Sequence, residues 1–191
     1  MKKDYEIIIN KLLDKIDLTS NESKSLIKNI LDNNFNEIQT GIILTLLNTK
    51  KESLIEIYSF VEYLRSLATK IKLKGDLMDT CGTGGDNKNS FNFSTATSIL
   101  LSTFDINIAK NGNRSVTSKS GSFDVLESLG IDVSSKLSHI KKNLKTNDIC
   151  FLFAPNFHSS LKHVAEVRGS LPFKTIFNLL GPLLNPLKLN Y

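Results

Sequence analysis

Sulfur is scarce in this sequence. Cys81 and Cys150 are its two cysteines; they lie far apart and match no metal-ligand spacing. Arginine is scarcer than the charge would suggest, because Arg65, Arg114 and Arg168 are the only three and the remaining basic residues are lysines. Long apolar runs are missing, and no segment reaches the ~18 consecutive apolar residues of a membrane span. The opening Met1-Lys2-Lys3 is followed at once by Asp4 and Glu6, which is not the pattern of a signal peptide. Two thiols without an export signal fit a reducing compartment, so a cytoplasmic protein with no membrane partner is expected.

What is present is enough for a folded chain. The 191 residues allow one domain or two small ones, and a hydrophobic content of 40% supports a packed core. The net charge of +5 permits an anionic small substrate or nucleic acid, although most of the lysines read as a solvated surface. No internal repeat is visible.

The first seventy or so residues show helical periodicity alone. Ile7, Ile8, Leu12, Leu13 and Ile16 recur at helical spacing. Thr19 with Glu22, Asn36 with Gln39 and Thr49 with Glu52 each read as a capping box opening a further helix. Four short amphipathic helices over 1–71 therefore form a small helical domain, whose apolar stripes must pack on each other, on the next domain or on a second subunit.

The pattern changes near Gly75. Leu77-Met78 reads as a strand running into glycines, Ser94–Ser102 as a helix and Ile106–Ala109 as a second strand. Asn111–Gly121 reads as a polar loop and Ser122–Leu129 as a helix ended by Gly130. Ile149–Phe153 has the continuous apolar character of a buried parallel strand. This alternation predicts a parallel α/β sheet over 72–191, with ligands beyond the carboxyl ends of the strands. Residues from about 158 to 185 have helical character that allows a return to the first domain.

Two loops fall at such strand ends. The first, Asp79–Asp86, reads Asp-Thr-Cys-Gly-Thr-Gly-Gly-Asp. Gly82, Gly84 and Gly85 let the backbone approach a ligand, and the helix that follows Asn92, Ser94 and Thr95 offers its N–H groups to an anion. The segment is neither a Walker loop nor a Rossmann fingerprint. The second loop, Lys110–Ser122, sets Lys110, Arg114 and Lys119 among hydroxyls and glycines, a combination suited to a polyphosphate. Cys81 has no histidine near it in sequence and reads as a small filler. His139, His158 and His163 read as structural, and Phe151, Phe153, Phe173 and Phe177 as core.

With both loops in place, the sequence resembles the anthranilate phosphoribosyltransferases of tryptophan biosynthesis. The resemblance rests on Asp79–Asp86, Phe91–Thr95, Ala109–Leu129, Phe151–Pro155 and Thr175–Pro186. It implies a small helical domain on an α/β domain of the nucleoside phosphorylase and phosphoribosyltransferase type, a homodimer formed through the helical domain, and no nucleic-acid partner. It also implies Mg²⁺ and two substrates, phosphoribosyl pyrophosphate and anthranilate. The anthranilate amine attacks the anomeric carbon and displaces pyrophosphate, with no covalent nucleophile.

Carried over by position, Gly82, Gly85, Asp86 and Ser90 line the phosphoribosyl pyrophosphate site, and Asn92, Phe93, Ser94 and Thr95 continue it, with Ser94 as a Mg²⁺ ligand. Lys110, Asn111, Gly112, Asn113 and Arg114, then Ser115, Val116, Thr117 and Ser118, wrap the ribose-phosphate and pyrophosphate; Ser122 adds a contact. Gly82, Asn113 and Arg168 match the anthranilate contacts. An arginine fork suits a carboxylate, although a surface ion pair with Glu166 would explain Arg168 equally well.

The sequence departs from the family in places. Asn111 stands where histidine is usual and Lys174 where arginine is common. The family's chain continues past the Gly-Pro-Leu-x-Asn-Pro segment and carries an adjacent Asp-Glu pair that binds Mg²⁺; no adjacent acidic pair occurs here. The chain thus resembles an N-terminal portion of the enzyme, and weak or absent activity of this portion alone is expected. Other readings are a pyrimidine nucleoside phosphorylase, a nucleic-acid-binding relative and a non-catalytic relative of the same fold.

Overall fold

The computed structural model describes residues 2–84, 91–114, 121–133 and 136–191. Its elements run α1 (Lys2–Leu13), α2 (Ser20–Leu31), α3 (Glu37–Lys50), α4 (Leu54–Leu67), α5 (Phe93–Ser102), β1 (Ile108–Gly112), α6 (Ser122–Ser128), α7 (Leu137–Asn147), β2 (Ile149–Phe153), α8 (Ala154–Phe157), α9 (Lys162–Ser170) and α10 (Ile176–Leu180), with short 3₁₀ turns at Ser159–Leu161 and Gly181–Leu184. The chain divides into two units. One comprises Met1–Leu67 with His158–Leu184, and the other Ala68–Phe157 with Asn185–Tyr191.

The first unit is all helical. Leu12, Leu26, Ile27, Ile43, Leu44, Leu47, Phe60 and Leu64 are buried in one apolar cluster with Val164, Ile176 and Leu180 from the returning helices. Of the first stripe, Ile8 and Leu12 face this core, whereas Ile7, Leu13 and Ile16 are exposed. Two of the three expected capping boxes form. Thr19 Oγ1 accepts from Glu22 N while Glu22 Oε2 accepts from Thr19 N, and Asn36 and Gln39 exchange the same pair of bonds. The third does not. Helix α3 runs on through Thr49, whose hydroxyl donates back to Thr45 O, and the chain turns only at Lys51, at φ 72°. The reciprocal pair that opens α4 is Ser53 with Glu56.

Glu56 has a second task. It is fully buried, and Oε1 accepts from Leu18 N at 2.9 Å while Oε2 accepts from Lys50 Nζ at 2.9 Å. Lys50 also pairs with Asp17, so this buried ammonium meets two carboxylates.

The second unit is α/β. Strands β1 and β2 pair in parallel, with Ile108 opposite Ile149 and Gly112 opposite Phe153. The expected strand at Leu77-Met78 is reduced to a parallel bridge between Met78 and Ile108. Strand β1 starts later than expected and runs on through Lys110, Asn111 and Gly112, so these residues belong to a buried strand and not to a loop. Polar side chains can occupy a central strand where its carboxyl end serves a site. One layer packs Leu77, Ala109, Cys150 and Leu152 against Ile140 and Leu144 of α7; another packs Ile108, Phe151 and Phe123 with Leu126 of α6. Gly112 is needed for close packing, because a Cβ there would lie 3.1 Å from the Phe123 ring and 3.2 Å from Ser122 Cβ. Among the described residues no helix is long and apolar enough to cross a membrane.

Candidate active site

In the α/β unit, the segment after Met78 and the end of β1 meet beside the start of α5. Helix α5 begins at Phe93 because Asn92 caps it, its Oδ1 accepting from Thr95 N at 3.1 Å. Ser94, in the first turn, is tied to the first loop: its hydroxyl donates to Thr80 O, and its carbonyl accepts from Thr80 Oγ1 at 2.8 Å. Thr80 Oγ1 also lies 2.6 Å from Ser98 Oγ. The hydroxyls therefore fix the loop onto the helix N-terminus, whose partial positive charge favours anions.

Lys110 comes from β1 and is fully buried. Its ammonium donates to Ser94 Oγ at 2.7 Å, the one hydrogen bond it makes among the described residues. Burial pulls its pKa below the ordinary lysine value, and the charge of Asp79 works against that pull. Asp79 is held by three donors: Cys81 N at 3.0 Å, Asn111 N at 3.3 Å and Asn185 Nδ2 at 2.9 Å. Burial pushes its carboxyl above the usual range, while the Asn185 bond and the Lys110 charge draw it down. Asn185 Nδ2 donates as well to Ala109 O, and Asn185 Oδ1 accepts from Leu187 N. Sequence reasoning alone assigns no individual role to Asp79, Thr80 or Asn185. Asp79 opens the glycine loop and Asn185 sits in Gly-Pro-Leu-x-Asn-Pro, so position in a motif was the available signal.

The cations beyond Lys110 are placed differently. Arg114 forks onto Glu127, with Nε to Oε2 at 3.2 Å and Nη2 to Oε1 at 2.6 Å, and its guanidinium lies 4.7 Å from the centre of the Phe153 ring. Asn113 Oδ1 accepts from Arg114 N. Ser122 is the first residue of α6, and Gly84 takes φ 63° in the first loop. The expected site residues Gly85, Asp86, Ser90, Ser115, Val116, Thr117 and Ser118, and the cation Lys119, lie outside the described residues. Gly82 and Phe93 are exposed, and Thr95 is buried with a hydroxyl that has no hydrogen-bond partner among the described residues.

Arg168 belongs to the helical unit. Its guanidinium stacks 5.4 Å from the centre of the Phe177 ring, and its Nε is buried with no hydrogen-bond partner among the described residues. Glu166 makes no ion pair with it among those residues. Desolvation lowers the pKa of Arg168 from its ordinary value. An orphaned guanidinium N–H is costly unless an acceptor arrives.

Thiol chemistry has no support here. Burial, with the Asp79 charge, pushes the Cys81 thiol up to about 11 and the Cys150 thiol up to about 12, so both stay protonated near neutral pH. Among the described residues no three His, Cys, Asp or Glu side chains gather to hold a metal. Ser94 Oγ offers a single hard oxygen. That suits Mg²⁺ only in its usual nucleotide-type setting, where substrate phosphates and water supply most ligands.

Comparison with known proteins bears on the family and the fold. Residues 74–191 match the α/β domain of the glycosyl transferase family and residues 6–68 its helical bundle domain. Anthranilate phosphoribosyltransferase of Caldicellulosiruptor saccharolyticus is 48% identical over 178 residues, which are 93% of this chain and 53% of that protein. The Bacillus caldotenax protein of the same name is 43% identical, over 88% of this chain and 70% of its own. The crystal structure of the Thermus thermophilus enzyme superposes with a TM-score of 0.84 at 32% identity, over 94% of this chain and 55% of that one. The Saccharomyces cerevisiae enzyme in complex with PRPP and Mg gives 0.85 at 30% identity, over 97% and 56%. The chain spans about half the length of most of the curated relatives it matches. The two domain matches, the identities and the shared fold together place this chain in the anthranilate phosphoribosyltransferase family.

Proposed function

We propose that this chain supplies the phosphoribosyl pyrophosphate-binding part of an anthranilate phosphoribosyltransferase that acts in the cytoplasm. The observation that carries the reading is the fully buried Lys110 ammonium, seated on Ser94 Oγ at the N-terminus of α5. A buried cation beside helix N–H groups is a costly arrangement that a diphosphate relieves. In the reaction, the anthranilate amine forms a bond to the anomeric carbon as the bond from that carbon to pyrophosphate breaks, and the amine releases a proton. Charge grows on the departing pyrophosphate, and Lys110 with the α5 N-terminus stabilises it without rearranging.

Gly82, Gly85, Asp86, Ser90, the Asn92–Thr95 stretch and Lys110–Ser118 with Ser122 form the phosphate and ribose contacts in this reading. Gly82, Asn113 and Arg168 are the anthranilate contacts in this reading; the orphaned Nε of Arg168 supports its pairing with a carboxylate. Ser94 is the residue of this chain that would hold Mg²⁺, which would supply charge neutralisation to the bound diphosphate. Ile38 and Ile42 on α3 and Leu54, Ile55 and Tyr58 on α4 are exposed, with Leu54 at 85%, and they form the face for a second copy of the chain.

The test follows the loss of anthranilate fluorescence on addition of phosphoribosyl pyrophosphate and Mg²⁺, in parallel with calorimetric binding of phosphoribosyl pyrophosphate. Binding that disappears in Lys110→Ala is the expected result. No binding by the chain, together with no consumption of anthranilate by a form as long as its relatives, overturns the reading.

A further inference from the structure

Parallel strands have two ends, and the candidate active site occupies the carboxyl ends. At the other end, where Asn107 enters β1 and Asp148 enters β2, the α/β unit has a cavity of about 520 Å³. Lys72 and Lys74 line it from the segment before Gly75, and Lys141 and Lys145 line it from α7. Gly75, at φ 98°, turns the chain between Lys74 and the Met78 bridge. Leu73 and Leu144 contribute apolar lining.

The charges there are unbalanced. All four lysines are exposed at the cavity, and none makes an ion pair among the described residues. Asp148 is the one acid in the lining. Lys141 and Lys145 are four residues apart on one helix, a like-charge spacing that disfavours the helix unless an anion sits between them. A solvated lysine face spreads its charges along one element. Here two separate segments bring them round one recess whose volume is typical of a small-molecule site. The position is also remote from the first site: Asn107 and Asn113 are six residues apart along β1 and its extension, or about 20 Å at strand rise.

We propose that this cavity is a second anion site that binds a compact, phosphate-bearing polyanion. Lysine ammonium groups act as point charges toward phosphate oxygens, and four of them exceed the needs of a single carboxylate ligand. Nucleic acid would call for a basic stripe along the surface, which four lysines gathered round one open recess do not provide.

Inorganic tripolyphosphate is the probe, titrated into the 191-residue chain and followed by amide chemical shifts at about 0.15 M salt, where loose surface attraction is largely screened. Two groups of shifts are expected, one around Gly82 and Asn113 and one around Leu73, Asn107 and Lys145. The double variant Lys141→Ala, Lys145→Ala should weaken the second by about tenfold and leave the first unchanged, since removing exposed charges acts locally. Lys110→Ala should do the reverse. Absence of the second group of shifts, its loss on raising the salt from 0.05 M to about 0.15 M, or tighter binding there by a 20-nucleotide DNA strand would each overturn the proposal.

Discussion

Each unit buries a lysine, and the two are treated in opposite ways. In the helical unit, the side chain of Lys50 is 2% exposed and meets both Asp17 and Glu56. In the α/β unit, Lys110 is 0% exposed and its hydrogen-bond partner among the described residues is a neutral hydroxyl, Ser94. The first arrangement is closed: charge is matched by charge, and Glu56 spends its remaining lone pairs on Leu18 N and Ser53 N. In the second, the nearby Asp79 charge acts on Lys110 without a hydrogen bond between them. Burying a charge without full compensation costs stability, so the Lys50 group serves the fold, and Lys110 is the residue on which the proposed phosphate site turns.

The comparison can be broken most directly at Glu56. Glu56→Ala leaves the buried Lys50 ammonium with Asp17 alone and strands the Leu18 and Ser53 N–H groups, and should cost about 3–5 kcal/mol in a urea or thermal melt. A loss near zero would mean that the buried pair is not structural. Lys110→Met should behave in the contrary manner, with equal or greater stability but phosphoribosyl pyrophosphate affinity reduced by about 10²–10³-fold in calorimetry, the scale of one buried charge pair. A variant that binds normally would make Lys110 another Lys50. Gly112→Ala forces a methyl against Phe123 and Ser122 and should cost about 1–3 kcal/mol, with Lys110 displaced alongside. An Ala variant with unchanged melting and binding would show that β1 and α6 can separate freely.

The smallest effect concerns His158 in the helical unit. Its ring Nε2 lies 2.7 Å from Leu184 O, and burial lowers its pKa from 6.5 despite that bond. Between the folded pKa and 6.5 the unfolded chain binds more protons, so stability rises with pH through that window and levels off above 6.5. His158→Gln should flatten this portion of a melting-temperature profile. A wild-type profile that declines across the same window would contradict the assigned cause.

How much could be read from the sequence differs between the units for a physical reason. Caps at Thr19–Glu22 and Asn36–Gln39 are local exchanges within four residues, so the sequence pattern suffices. Thr49–Glu52 shares that pattern, but Lys51 at positive φ ends α3 after it, and Ser53 with Glu56 wins because Glu56 also serves Leu18 and Lys50. Helix α7 was readable from Leu137, Ile140 and Leu144, yet its lysine-rich remainder masked the stripe and it was not anticipated. Lys110 and Asn111 read as loop residues because polarity normally excludes a buried strand. The glycine loop and the cation-rich segment were legible as motifs. The bonds that position them were not, since Asp79 depends on a residue far along the chain.

That dependence has a consequence in time. Asn185 joins Asp79 across 106 residues of sequence and Ala109 across 76. During synthesis, the glycine loop emerges long before the amide that clamps its first residue. Loop closure of this length is slow to be rewarded, so the phosphate cradle should be among the last parts to acquire protection from hydrogen exchange. The helical caps, each closed within a single turn, should be protected early. Closure of the Asn185 clamp thus reports completion of the α/β unit, and if the proposed site binds phosphate, that binding during refolding is a clock for the final step.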